Sequence, residues 1–231
     1  MKSYGQFCPV AMGAEVFAER WTPLIVREMA CGSRRFSDLE RGLPRISKSI
    51  LAQRLRFLEG VGVVERQEGP AGHGAEYVLT RAGEELADLV LLLGDWGMRW
   101  ADIAIGPHNL DPDLLMWDIH RRIRVERLPD RRIVVQIEMN GEQRRCYWLV
   151  MERPAPSMCW RDPGFEVDLV VTADTATLHR VWMGQQDLAK ALRDGQITLD
   201  GPSDLCRAFP DWLAFSLFVE RRTTASGRDR G

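Results

Sequence analysis

Two helical patterns joined by a short turn, between Phe36 and Gly62, constrain the fold of this chain more than any other feature. The turn between them contains Gly42 and Pro44, two residues that end helices. The second pattern repeats a leucine at i, i+4 and i+7, which gives a helix one apolar face; these residues are Leu51, Leu55 and Leu58. Two short helices around a tight turn are typical of a helix-turn-helix unit.

Polar residues and prolines predict where these helices begin. Ser37 and Glu40 have the spacing of a capping box for the first helix, and Ser47 is the expected N-cap of the second. Upstream, apolar residues recur at helical spacing over Val10–Ala30. Pro23 removes an internal hydrogen bond there, so we expect that helix to break or restart near it.

A β-hairpin and a long helix are predicted to follow the helix-turn-helix unit. The runs "VVERQEG" and "AEYVLT" are joined by the glycine-containing "PAGHG", which favours a hairpin with an open tip. Thr80 is then the expected cap of a long, strongly apolar helix over about Arg81–Ile105. The order of three helices, a hairpin and a helix is that of a winged helix-turn-helix domain.

The pattern changes around Gly106-Pro107, which predicts a second domain. Short extended runs dominate there before further helices, and Asn140-Gly141 between two of them is a strong hairpin signal. We therefore expect an α+β protein with a winged helix-turn-helix domain over 1–106, a second domain over 107–222 and a flexible tail over 223–231. The predicted strands lie in "IRVERL", "RRIVVQIEM", "QRRCYWLVM", "SMCW", "FEVDLVVTA" and, after Gly195, "QITLDGP".

Charge is distributed unevenly along the chain. The whole sequence has a formal net charge of −2, which is not that of a generally basic protein. Within Arg20–Arg66, however, ten basic and five acidic residues give +5. A local basic surface of this kind attracts polyanions, and duplex DNA is the obvious one for a helix-turn-helix unit.

The second helix of the unit supplies side chains that suit DNA. A helix N-terminus attracts phosphate, glutamine can pair with adenine, and arginine can pair with guanine. We expect Arg66 on the hairpin and His73 at its tip to support these contacts. The predicted DNA-binding residues of the helix are Ser47, Lys48, Ser49, Gln53, Arg54 and Arg56.

The N-terminal part of the sequence resembles the HxlR-type winged helix-turn-helix regulators of the MarR-like superfamily. The resemblance runs over about Cys8–Trp100, and "YVLTRAGEEL" matches the junction between the hairpin and the last helix. It implies a homodimeric transcription regulator whose dimer is built from the first and last helices. The residues that carry it are Cys8-Pro9-Val10, Arg20-Trp21-Thr22, Arg27-Glu28, Arg35-Phe36, Leu39, Ile46-Ser47, Leu51, Arg54-Leu55, Leu58, Gly62 and Val64-Glu65-Arg66.

The five cysteines do not have the pattern of a disulfide framework or a zinc site. Their number is odd and none are spaced as CxxC, which argues against disulfides and zinc and favours reduced thiols in a cytoplasm. Some HxlR-type regulators sense oxidants through a cysteine at the position of Cys8. A thiol near a helix start can be reactive, or Cys8 can be a small packing residue, and both interpretations remain open.

No catalytic motif is present in the second half of the chain. It lacks GxSxG, HExxH, a Walker loop and a dinucleotide fingerprint, and no two histidines lie at ligand spacing. We therefore expect no enzyme activity, no cofactor and no metal. No apolar run is long enough to span a membrane, so no membrane partner is expected.

Large apolar residues are abundant in the second half and allow two interpretations, an ordinary core or a ligand pocket. The segment from Val167 to Phe218 is similar to sterol-carrier-protein-type domains, with Met183-Gly184 and "DGQITLDG" among its matches. That resemblance implies a five-stranded sheet covered by helices around an apolar tunnel. The predicted pocket residues are Trp117, Met139, Trp148, Met158, Trp160, Trp182, Phe209, Trp212 and Phe215.

Taken together, the sequence predicts a cytoplasmic, homodimeric regulator that binds a pseudo-palindromic site on double-stranded DNA. Two recognition helices about 34 Å apart would read successive turns of the duplex. An apolar or amphipathic small molecule in the second domain would control binding. Two alternatives stay open: a thiol-based redox regulator that uses Cys8, and an enzyme or carrier for a hydrophobic ligand in which the winged helix only forms the dimer.

Overall fold

The computed structural model describes residues 3–69, 74–101, 110–141 and 144–219. The chain divides into two compact units, Met1–Asp102 and Ile103–Gly231. Within the described residues, no helix has both the length and the apolar character needed to cross a membrane.

The first unit has the element order predicted for a winged helix-turn-helix. The helical pattern of Val10–Ala30 is interrupted, as expected, because Trp21 adopts a left-handed backbone conformation with φ 78°. Pro23 is then tolerated in the first turn of the restarted helix, where an amide N–H has no intrahelical partner. The elements are α1 (Pro9–Phe17), α2 (Thr22–Ala30), α3 (Phe36–Gly42), α4 (Lys48–Gly60), β1 (Val64–Glu68), β2 (Ala75–Leu79) and α5 (Arg81–Trp100).

Two of the three helix caps predicted in the first unit are confirmed. The Ser47 hydroxyl accepts the Ile50 amide at 3.3 Å, and the Thr80 hydroxyl accepts the Gly83 amide at 3.2 Å. The capping box at Ser37 is wrong. Because α3 begins at Phe36, Ser37 already lies inside the helix, and the residue at the N-cap is Arg35, whose side chain makes no capping bond.

The apolar faces of these helices meet in one core. Leu51, Leu55 and Leu58 of α4 are all buried, as their spacing predicts, and they pack with Ile25 of α2 and Leu39 of α3. This packing fixes which face of α4 points into the unit and which points away.

The β-hairpin pairs β1 with β2 in antiparallel register, Val64 opposite Leu79 and Arg66 opposite Tyr77. The segment before α3 runs beside β2 through an isolated β-bridge. The Tyr77 amide donates to the Arg34 carbonyl at 2.7 Å, and Arg35 forms a bridge to Glu76. The segment before α3 is therefore attached directly to the hairpin.

The second unit contains the five-stranded sheet expected from the sequence, in the order β5-β4-β3-β6-β7. Strands β3 and β4 form the hairpin predicted at Asn140-Gly141, and β3 and β6 pair in parallel. One predicted strand is wrong, because Val125–Arg127 in "IRVERL" forms a 3-10 turn. The elements are α6 (Pro112–His120), β3 (Ile133–Asn140), β4 (Arg145–Met151), β5 (Ser157–Cys159), β6 (Leu169–Asp174), α7 (Thr175–Trp182), α8 (Leu188–Arg193), β7 (Ile197–Asp200) and α9 (Ser203–Ala208).

Candidate nucleic-acid interface

Helix α4 presents a polar stripe on the face opposite its buried leucines. Ser49, Gln53 and Arg56 are all exposed and recur at i, i+4 and i+7, so they lie above one another along the helix. No ion pair or side-chain hydrogen bond within the described residues occupies Gln53 or Arg56. We call these three residues the α4 stripe; it offers a hydroxyl, an amide and a guanidinium to a ligand.

The N-terminus of α4 adds further donors beside the α4 stripe. The hydroxyl groups of Ser47 and Ser49 lie 3.1 Å apart, and Ser47 also caps the helix. Lys48 forms an ion pair with Glu40 of α3, 3.2 Å between Nζ and Oε1, yet its side chain is 75% exposed. An exposed ion pair of this kind contributes little to stability, so Lys48 can leave Glu40 and bind a phosphate instead.

Arg54, one of the predicted DNA-binding residues, does not belong to the α4 stripe. Its guanidinium lies 2.7 Å from the Glu19 carboxylate, and both side chains are largely covered. One residue beyond Gln53, the helix has turned by about 100° toward the protein. Arg54 therefore ties α4 to the segment between α1 and α2.

We expect Arg54→Ala to act on stability and not on DNA contacts. Loss of a partly covered ion pair should lower the free energy of unfolding by about 1 kcal/mol. Denaturant titration and the salt dependence of DNA binding, measured on the same variant, check this. A salt dependence that falls in Arg54→Ala as it does in Arg56→Ala would return Arg54 to the interface.

A buried glutamate supports the turn between α3 and α4, a role that the sequence did not indicate. Glu28 of α2 is fully buried, forms an ion pair with Arg27, and lies close to the Ser33 hydroxyl. A Cβ built on Gly42 would come within 1.9 Å of Glu28 Oε2. Only a glycine leaves room for this carboxylate, so Gly42 does more than end α3.

The hairpin supplies the remaining predicted DNA-binding residues. Arg66 on β1 is exposed, in keeping with a role at the surface. His73 lies outside the described residues, so its support of DNA contacts stays a prediction. On the segment before α3, Arg35 pairs with Glu76 at 3.5 Å, while Arg34 is exposed.

Cys8 occupies the N-cap position of α1 and is partly exposed. Its backbone carbonyl accepts the Met12 amide at 3.1 Å, and its side chain makes no capping bond. None of the five cysteines, which all lie within the described residues, forms a disulfide. Among the described residues, no group of three or more histidine, cysteine or acidic side chains could hold a metal ion.

The predicted pocket residues of the second unit mostly belong to its core. Met139, Trp182, Phe209 and Trp212 are buried in one apolar cluster, where they contact one another or their neighbours on the sheet. Met158 and Phe215 pack against that cluster, and Trp117 is buried beside His120. Trp148 is partly covered, and Trp160 is 42% exposed, so Trp160 does not line an interior space.

Comparison with known proteins places the first unit in a family. Residues 16–104 match the family model described as HxlR-like helix-turn-helix. The chain is 36% identical over 99 residues to the uncharacterized HTH-type transcriptional regulator YvaP of Bacillus subtilis, covering 42% of this chain and 92% of YvaP. It is 35% identical over 94 residues to the regulator YtfH of Escherichia coli, covering 40% of this chain and 75% of YtfH.

Other similarities cover the same part of the chain. An uncharacterized HTH-type regulator of Mycobacterium bovis is 40% identical over 101 residues, and the match spans 62% of its length. The solved structure of the reduced regulator YodB from B. subtilis is 30% identical and covers 42% of this chain and 97% of its own, with a TM-score of 0.37. Because the match to YvaP spans nearly all of that regulator, this chain belongs to the HxlR-like helix-turn-helix family of transcriptional regulators.

Proposed function

We propose that the protein regulates transcription by binding duplex DNA through the α4 stripe. The observation that carries this proposal is the exposed alignment of Ser49, Gln53 and Arg56 opposite the buried leucines of the same helix. An α-helix fits the major groove, where a glutamine or arginine can pair with base edges. Ser47 and Lys48 at the N-terminus of α4, and Arg66 on the wing, would contact phosphates and set the orientation.

Selection of duplexes from a random pool by the full chain tests this proposal. We expect one enriched site, with two half-sites related by pseudo-two-fold symmetry and centred about one helical turn apart. Binding to that site should weaken steeply with salt because phosphate contacts release counterions. A pool that shows no enrichment at low salt would contradict the proposal.

We further propose that the protein binds DNA as a homodimer formed by α1 and α5. Helix α5 exposes an apolar stripe, defined here as Leu89, Leu92, Leu93, Trp96 and Trp100, and Trp100 is 71% exposed. Helix α1 has no buried residue and exposes Val10 and Met12. A continuous apolar stripe on a long helix is a typical contact between two copies of a chain.

Trp96→Asp should dissociate this dimer. A buried tryptophan contributes a large contact area, and a carboxylate in its place would lose its hydration, so we expect at least a tenfold rise in the dimer dissociation constant. Sedimentation equilibrium on the full chain measures it. Gln67→Asp introduces the same carboxylate at an exposed residue of β1, outside both helices, and is the control that should leave the dimer intact. Equal dissociation in both variants would contradict the assignment.

Redox control through Cys8 is the second candidate, supported by the partial exposure of this thiol at the start of a helix that we place in the dimer. Oxidation there would alter the geometry of the pair of subunits. Cys8→Ser distinguishes the two candidates: under this second one, oxidant-dependent release of DNA disappears in the variant, whereas basal DNA binding persists. Release that persists in Cys8→Ser would eliminate Cys8 as the sensor.

For the second unit we propose a sterol-carrier-type domain that takes an apolar ligand and has no enzyme activity. The order of strand, two helices, strand and helix from β6 to α9 supports it. Because Met139, Trp182, Phe209 and Trp212 fill the core, a ligand would have to separate these side chains. Solvent extraction of the purified protein tests this: release of an apolar compound is expected, and failure to recover one, together with no uptake of apolar probes, would contradict it.

A further inference from the structure

The first unit contains a cleft of about 370 Å³ that none of the proposed DNA or dimer contacts uses. It lies where the end of α2 and the following turn, strand β2 and the N-terminal half of α5 come together. Its volume is at the lower end of the range for small-molecule sites, which is roughly 300–1,000 Å³. The lining residues are Met29, Ala30, Ser33, Arg34, Tyr77, Val78, Leu79, Glu84, Ala87, Asp88 and Leu91.

The lining combines an apolar body with two carboxylates. Met29, Leu79 and Leu91 supply thioether and aliphatic surface, and Tyr77 adds an aromatic ring. Glu84 and Asp88 lie at i and i+4 on α5, so their carboxylates project from the same face of the helix. The two parts together fit a ligand that is apolar along most of its length and charged at one end.

The carboxylates of Glu84 and Asp88 indicate that the charged end of the ligand is a cation. Glu84 and Asp88 are exposed, and neither forms an ion pair within the described residues. Like charges at i and i+4 repel each other, and a cation between them removes this repulsion. Arg34 is the single basic residue among the described lining residues, which therefore carry a net negative charge. The apolar side chains of Met29, Leu79 and Leu91 beside the carboxylates favour an organic cation over a hydrated metal ion.

From this cleft we propose a binding site for a small organic ammonium ion with an apolar or aromatic body. The ammonium group contacts the Glu84 and Asp88 carboxylates, while the body packs on Met29, Leu79 and Leu91. The Tyr77 ring adds attraction to a cation near its face. The proposal concerns a site that DNA binding does not require, and the titration below is carried out without DNA.

Three probes of nearly equal size test the site: 2-phenylethylammonium, 2-phenylethanol and phenylacetate. Each is titrated into the full chain with labelled methyl groups, and the signals of Met29, Leu79 and Leu91 are followed. We expect these signals to report a dissociation constant for the cation at least tenfold lower than that for the alcohol. The anion should not shift them. Equal binding of the alcohol, tighter binding of phenylacetate, or shifts confined to other residues would overturn the proposal.

Charge-matched variants complete the test. Glu84→Gln with Asp88→Asn should raise the dissociation constant of the cation about tenfold, because two partly screened ionic contacts are lost. Glu85→Gln with Glu126→Gln removes the same formal charge from exposed residues outside the cleft and should leave the constant unchanged. Equal weakening in both pairs would mean that overall charge, and not this site, binds the cation.

Discussion

Gly42→Ala should lower the free energy of unfolding of the first unit by about 1–3 kcal/mol, although alanine is a better helix former than glycine. The added Cβ would come within 1.9 Å of Glu28 Oε2. Glu28 is fully buried and paired with Arg27, so moving its carboxylate aside would disturb a buried ion pair. Hydrogen exchange of the α3 and α4 amides in the full chain measures the loss.

A double-mutant cycle identifies the cause of this destabilisation. Glu28→Ala alone should be destabilising, because it leaves Arg27 without its partner in a partly buried position. In the Glu28→Ala background, however, Gly42→Ala should leave the free energy of unfolding unchanged or raise it slightly. The effects of the two changes are then non-additive. Gly60→Ala is the control, since a Cβ there meets nothing within 4 Å. Additive losses would show that Gly42 is required for another reason.

Gln53→Ala with Arg56→Ala should weaken binding to the selected duplex by about 1–3 kcal/mol for each lost base contact. Both side chains are exposed on the α4 stripe, so the unfolding free energy should hardly change. If Arg56 contacts phosphate, the plot of log affinity against log salt concentration also becomes shallower, by about one unit of slope per lost contact. Fluorescence anisotropy over a salt series measures both quantities.

The control for this experiment lies on the wing side of the same unit. Glu65→Gln changes an exposed residue of β1 beside Arg66 and, by removing a negative charge, should leave binding unchanged or slightly tighter. A loss of affinity in Glu65→Gln equal to that in the α4 double variant would show that binding follows general surface perturbation and not the α4 stripe.

The sequence predicted those parts of the fold that depend on local chemistry. The leucine spacing identified the buried face of α4, and a hydroxyl before a helix identified the caps at Ser47 and Thr80. The Asn140-Gly141 dipeptide located the β3–β4 hairpin. The Ser37 cap failed because the helix begins two residues earlier than predicted, with Arg35 at the N-cap, and helix ends are set by tertiary contacts as much as by local sequence.

The candidate site was less predictable because it depends on contacts between distant residues. Arg54 and Arg56 are equivalent in a list of basic residues, yet only the position of Glu19 shows that Arg54 is paired within the protein. The role of Glu28 beneath Gly42 is likewise a tertiary contact that no spacing reveals. Large apolar residues of the second half predicted a pocket, but such residues equally form an ordinary core, which is where most of them lie.

The central claim is that the outward face of α4 enters a DNA groove, and photocrosslinking tests it most directly. A benzophenone amino acid placed at Gln53 of the full chain should crosslink to the selected duplex on irradiation, at bases inside each half-site. The same group placed at the exposed Glu85 of α5 should not. DNA that binds with full affinity, yet crosslinks from position 85 and not from position 53, would contradict the account.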